Sequence, residues 1–349
     1  MNKLYYLLIF IPVSFLSKEV FHLSPILTFV FTALAIIPLA GLMGEATEEL
    51  SVYLGSRLGG FLNATFGNAT ELILAIFSLK AGLLEVVKAS IAGSIIGNIL
   101  LVLGASMFIG GTKFKVQKFS KNSINFSLSM LTFAIIGVII PAAFTDNISV
   151  ADVNPMKYEN LSVLIAVIML LIYISSLYFS FFTHKDIFGT EHEALTGKWS
   201  KKKSVMVLVV ATIFVAFESE FLVSSIEPMT EQLHLSNLFV GLIILPIIGN
   251  AAEHSTAIVT ALKNKMDISV EIAIGSSLQI ILFVAPVLVL LSLVFTPMAL
   301  IFNKYELISL VLAVIIANKV AYDGESNWLE GLQLMSVYLI VAVACFIVG

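Results

Sequence analysis

Of the 349 residues 59% are apolar and 12% charged, and the mean hydropathy is +1.03. Soluble domains hold roughly 45–50% apolar residues, so the composition excludes an ordinary soluble protein. The net charge of −4, spread over the polar connections, indicates neither nucleic-acid binding nor an acidic tail, and the single cysteine, Cys345, excludes an intrachain disulfide.

The apolar residues gather into runs of the length that a membrane-spanning helix needs, about 20 residues, and no strand-like alternation suggests a barrel. Eleven helices are predicted, at 4–20, 24–44, 60–80, 85–109, 123–144, 160–183, 204–226, 235–261, 268–295, 303–320 and 327–348. The fold class is therefore an all-α polytopic membrane protein. The first run, Leu4 to Leu16, is as short as a signal-peptide core, but no small-x-small site follows it, and it is read as a span. Of the 19 Lys and Arg residues only Lys18, Lys80, Lys88, Lys157 and Lys304 fall on the side opposite the N-terminus. The positive-inside rule then puts the N-terminus in the cytoplasm and the C-terminus outside.

The longest polar stretch divides the chain near its middle, and an internal repeat lies across it. GNATE at 67–71 matches GNAAE at 249–253, and Gly93-Ser94 matches Gly275-Ser276, all at a constant offset of 182. The same offset pairs Glu45 with Glu227, Glu49 with Glu231 and Glu85 with Asp267. It spans five predicted helices, and an odd number of crossings turns the second copy upside down. The expected organisation is an N-terminal helix (1–22), a first repeat (23–183), a cytoplasmic linker (184–203) and a second, inverted repeat (204–349). Inverted repeats around a midplane site are a common plan of secondary transporters.

The best-matched segments carry the ionisable groups. Glu71 and Glu253 lie within spans, where an ionised, unpaired carboxylate costs several kcal/mol and normally faces a polar cavity. Gly67-Asn68 and Gly249-Asn250 weaken helix propensity just before each glutamate, and Pro246 removes a backbone donor, so carbonyl oxygens are expected there as well. Two carboxylates, two amides and adjacent carbonyls suit a hard cation such as calcium, which takes about 6–8 oxygens. Without a cation, burial and like-charge repulsion favour protonating the same carboxyls, making one divalent ion and two protons alternative occupants. Helical spacing sets Ser94 beside Asn98 and Ser276 beside Gln279 as polar spots that supply supporting bonds or an oxygen. His254 follows Glu253, but successive helical residues point about 100° apart, so a structural hydrogen bond is expected of it rather than a proton relay.

Residues 67–104 and 249–286 resemble the two alpha-repeats of the cation/proton exchanger family, within the calcium/cation antiporter superfamily, and the acidic GEATEEL at 44–50 is similar to that family as well. The resemblance implies a ten-helix core of two inverted five-helix halves, preceded by one helix and working by alternating access. It implies cation-binding roles for Glu71 and Glu253, backbone and amide roles for Gly67, Asn68, Gly249 and Asn250, and polar positions at Ser94, Ser276 and Gln279. The form Ala251-Ala252-Glu253-His254 is that of the proton-coupled branch.

Glu45, Glu48 and Glu49 follow the second predicted span, and Glu227 and Glu231 follow the seventh. These are expected to be vestibule or gating carboxylates on opposite faces. The linker, with Asp186, Glu191, His192 and Glu193 among five lysines, is read as flexible. The expected function is export of calcium in exchange for protons across the cell membrane, with no cofactor beyond the transported ions and homo-oligomerisation left open. Sodium/calcium exchange and manganese/proton antiport are the alternatives. An intramembrane metalloprotease is disfavoured, because Glu253-His254 is not an H-E-x-x-H arrangement.

Overall fold

The computed structural model describes residues 3–146, 155–184 and 197–348, where the chain is helical apart from connections and one short ladder. Lys3–Ile9, Phe10–Phe15 and Leu16–Val20 run on as a first rod, α1, with a 3-10 start and a π-turn end. Ser24 caps α2 (Pro25–Phe66), which bends at Gly55, where φ is 75° and ψ 170°. That left-handed backbone is open to glycine at little cost. Next come α3 (Ala69–Lys80) and α4 (Leu84–Phe114), which holds a π-turn at Gly97–Val102. They are followed by α5 (Lys121–Asp146) and α6, which covers 155–183.

The second half begins with α7 (Lys201–Leu233). Then α8 (Asn237–Gly249) and α9 (Ala251–Leu262) meet at a 61° bend. Next is α10 (Met266–Ser292), with a π-turn at Ile280–Val284, and then α11 (Lys304–Val320), which starts on an Asn303/Glu306 capping box. The described chain ends with α12 (Trp328–Val348). The predicted spans fall largely on helical backbone, but 60–80 is divided between the end of α2 and α3, and 235–261 between α8 and α9. Among the described residues seven helices are long and apolar enough to cross a membrane, eight if α8 and α9 count as one.

Two boundaries differ from expectation. The second predicted span, 24–44, is helical through GEATEEL as far as Gly55, and the seventh, 204–226, runs on to Leu233 and stops at His234 in the left-handed conformation. The acidic residues expected to follow these spans are therefore part of the helices. The strand-free expectation also misses a three-residue antiparallel ladder of β1 (Val116–Lys118) with β2 (Glu325–Asn327). From β1, buried Gln117 donates to Ala261 O and Asn264 Oδ1, tying the α4–α5 connection to the end of α9. Residues 185–196 of the expected linker lie outside the described residues.

Packing divides the bundle. One large apolar core joins α4, α5, α6 and α9 to α12. Two smaller cores belong to α2 and α7, with Leu39, Met43 and Ala46 against Leu208, Ala211 and Val215, and Phe29, Ala33 and Ile36 against Leu222, Val223 and Ile226. In a membrane such faces are held by close van der Waals packing rather than by the hydrophobic effect. The broken elements α3 and α8 contribute residues to the smaller cores as well: Ala69 and Leu74 from α3, Val240, Leu245 and Ile248 from α8.

Candidate cation site

The two repeats break their helices at the same residue. Asn68 (φ −101°, ψ 26°) and Asn250 (φ −94°, ψ 7°) leave helical geometry, and α3 and α9 begin immediately after them. Neither asparagine side chain caps its own helix. Both amides are therefore available elsewhere. Glu71 and Glu253 consequently occupy the first turns of α3 and α9, where unpaired N–H groups and the helix dipole favour negative charge.

The repeats then exchange partners. A Cβ on Gly249 would lie 3.3 Å from Glu71 Cγ and 3.6 Å from its Oε1, and a Cβ on Gly67 would lie 3.8 Å from Glu253 Oε1. Each glycine thus leaves room for the carboxylate of the other repeat. Asn68 Nδ2 donates to Gln279 Oε1, and Ser276 Oγ donates to Asn68 Oδ1 at 2.8 Å. In the opposite sense Asn250 Nδ2 donates to Ser94 Oγ at 3.2 Å. Asn98 Nδ2 reaches Ser276 Oγ at 3.0 Å.

Ser94, Asn98, Ser276 and Gln279 find their partners across the repeat interface, because close helix approach sets side chains of different spans within bonding distance. The carbonyls of Asn68 and Asn250 each accept one bond, from Leu72 N and His254 N, which leaves each a second lone pair, whereas Pro246 O accepts from both the backbone N and Nδ2 of Asn250. The bond expected at His254 is not formed at Nε2, which is buried without a partner.

What remains is a surplus of acceptors. Glu71 Oε2, Glu253 Oε2 and Asn250 Oδ1 are buried with no hydrogen-bond partner, and among the described residues neither carboxylate pairs with a basic side chain. Buried carboxylate oxygens without donors call for either protons or a cation. Among the described residues no three or more His, Cys, Asp or Glu side chains are arranged to hold a metal ion together, so the donor set here is two carboxylates with amides and hydroxyls. Such a set suits a hard, oxygen-seeking ion.

The other predicted residues lie apart from this site. Tyr5 donates to Glu45, Glu48 is exposed, and Glu49 accepts from Trp199 N at 2.9 Å. Tyr53 donates to Trp199 O, and Lys203 stands 4.2 Å above the Trp199 ring, so the stretch before α7 is fastened to the acidic part of α2. Glu227 and Glu231 are exposed on α7. The two acidic groups therefore differ, one engaged and one open.

Comparison with known proteins agrees with this architecture. The chain matches the sodium/calcium exchanger protein family over residues 24–182 and 203–347. It is 45% identical to the Ca(2+)/H(+) antiporter of Aphanothece halophytica, over 97% of this chain and 95% of that one. Identity is also 45% to the Ca(2+)/H(+) antiporter ChaA of Bacillus subtilis, over 99% of this chain and 100% of that one. Among solved structures, native YfkE superposes with a TM-score of 0.86 at 43% identity, covering 98% of this chain and 99% of the other.

Proposed function

Because the chain belongs to the sodium/calcium exchanger family, and within it to the cation/proton exchangers, we propose that it moves calcium out of the cell in exchange for protons. In this reading Glu71 and Glu253 hold either one calcium ion or their own protons. Asn68, Asn250 and the Gly67 and Gly249 carbonyls supply further oxygens, while Ser94, Asn98, Ser276 and Gln279 hold the amides in place. The observation that carries the reading is the set of unpartnered oxygens, Glu71 Oε2, Glu253 Oε2 and Asn250 Oδ1, at the crossing of the two repeats.

Charge explains why exchange is coupled. With both carboxylates ionised and no ion bound, the chamber holds two uncompensated negative charges away from water, which costs several kcal/mol. Calcium or two protons removes that cost. The repeats can then exchange the side on which the chamber opens only when one load or the other is aboard. The reading includes eleven spans, an N-terminal helix followed by two inverted five-span repeats joined by a cytoplasmic linker, with the N-terminus inside and the C-terminus outside. Glu45, Glu48 and Glu49 then lie at the cytoplasmic entrance, and Glu227 and Glu231 at the external one.

Calcium uptake into everted membrane vesicles under an imposed pH gradient tests this. Uptake should appear with an acidic lumen and collapse when a protonophore dissipates the gradient. Uptake indifferent to the gradient rejects proton coupling. Flux that follows a sodium gradient instead selects the second reading, which the name of the matched family favours, and competition with manganese tests the third.

A further inference from the structure

Glu218 stands outside the duplicated chemistry, for the 182-residue offset pairs it with Ile36, an apolar residue of α2. It lies midway along α7 and is 0% exposed. Across from it, Ser14 Oγ of α1 is 2.8 Å from Glu218 Oε1 and 2.8 Å from the carbonyl oxygen of Ile11. A hydroxyl has one hydrogen to give. If Ser14 donates to the Ile11 carbonyl, its contact with Glu218 requires the hydrogen to come from the carboxyl. Each contact has a hydrogen of its own when Glu218 is a carboxylic acid donating to Ser14 Oγ, whereas an ionised Glu218 would leave the two acceptors to share one.

The surroundings agree with this proton count. Glu218 Oε2 has no partner among the described residues. Lys18, the basic residue of α1 at this interface, gives its Nζ to Ser224 Oγ at 2.7 Å and stands 4.2 Å above the Phe221 ring. Glu19 and Glu220, the other charged groups beside Lys18, are acidic and offer Glu218 no compensation. An ionised Glu218 would be a buried charge without a counter-ion, which proteins do not keep.

These contacts form one stripe. Ser14, Phe15 and Lys18 of α1 meet Phe217, Glu218, Phe221 and Ser224 of α7, with the Phe15 and Phe217 rings 6.2 Å apart. The α7 positions recur at helical spacing, so they share one face. A further bond, Ser17 to Thr28 at 3.1 Å, joins α1 to α2. The helix that precedes the repeats is thereby fastened to the two helices whose apolar cores are separate from the large one.

We propose that Glu218 is a positioning residue, a carboxylic acid that keeps its proton through the transport cycle and fastens α1 to α7, so that α1, α2 and α7 travel as one body. This rests on the exchange reading above. A failure of that reading shows itself first, as absence of pH-driven calcium uptake by the unaltered protein.

The test measures such uptake in Glu218→Gln and Glu218→Ala. The Gln amide can donate to Ser14 as the acid does, so Glu218→Gln should keep the maximal rate, the KM for calcium and the pH profile within about twofold. In Glu218→Ala the maximal rate should fall about fivefold at unchanged KM, the equivalent of one lost hydrogen bond. A shifted pH profile or a changed proton-to-calcium ratio in Glu218→Gln would place Glu218 among the transported protons and overturn the proposal. An unaffected Glu218→Ala would overturn it too. Should Glu218→Ala fail to fold, Ser14→Cys with Glu218→Cys in a Cys345→Ser background decides. Oxidation should leave flux at or above that of the reduced form, and a block relieved by reductant contradicts a common motion of α1 and α7.

Discussion

The arm of α2 beyond Gly55 and the helix α8 are the same stretch of sequence in the two repeats, yet they are packed differently. On α8, Val240 and Leu242 are 0% and 1% exposed, a Cβ on Gly241 would come within 2.6 Å of Ala89 Cβ, and a Cβ on Gly93 within 2.1 Å of Leu242 O. In the first repeat Leu58 and Phe61, the counterparts of Val240 and Ile243, are 62% and 57% exposed. Gly275, the counterpart of Gly93, has nothing within 4 Å of its Cβ position. In the alternating-access reading proposed above, such unequal packing of equivalent positions corresponds to one entrance closed by α8 on α4 and the other free at Gly275. In the orientation proposed above, with the N-terminus inside, that entrance would be the cytoplasmic one.

The comparison can be broken at several points. The largest effect is expected at its centre, at the carboxyl pair proposed to share the ion. Glu71→Gln or Glu253→Gln should each lower calcium flux by about 100-fold or more, the scale of roughly 3 kcal/mol on removing one partner of a buried charge interaction. Vesicle uptake checks this, and near-normal flux in either variant would detach that carboxylate from the site.

The packed and open faces should next respond oppositely to one methyl group. Gly93→Ala overpacks the closed entrance and should lower thermal stability by about 1–3 kcal/mol. Gly275→Ala meets open space, so its melting temperature should stay near the parent's while its flux falls, because the same methyl obstructs closure of the other entrance. Thermal unfolding and flux measured on both variants decide it, and equal destabilisation would erase the asymmetry.

Accessibility sharpens the same contrast. In a Cys345→Ser background, Leu58→Cys and Phe61→Cys should react with a membrane-impermeant maleimide from the cytoplasmic side far faster than Val240→Cys does from outside. The smallest effect is expected at the amides. Asn68→Ala and Asn250→Ala each remove hydrogen bonds of about 1 kcal/mol, so a roughly fivefold rise in the KM for calcium should accompany nearly intact folding, read from uptake at graded calcium.

Much of this arrangement was legible in the residues. The constant offset tied Glu71 to Glu253 and Gly67 to Gly249, and glycine with asparagine signalled the breaks that the backbone makes at Asn68 and Asn250. The partners of the polar residues were not legible. Helical spacing relates residues on one helix, whereas Asn98 to Ser276 and Asn68 to Gln279 join spans about 180 to 210 positions apart through tertiary packing. The β1–β2 ladder escaped because three residues are too few for a period, and the helical run through GEATEEL because nothing before Gly55 stops a helix. Glu218 did leave a trace, as an acid inside an apolar run, but the repeat drew attention to paired acids and Glu218 has no pair.

The central claim is that calcium and protons are alternative occupants of one pair of carboxyls. Calorimetric titration of the purified protein with calcium in buffers of different ionisation enthalpy tests it most directly, because the dependence on buffer counts the protons released. The account expects about two protons per calcium bound and none in the Glu71→Gln/Glu253→Gln double variant, which should also bind no calcium at the same concentrations. Calcium binding by the unaltered protein with no proton release, or tight binding by the double variant, would contradict it.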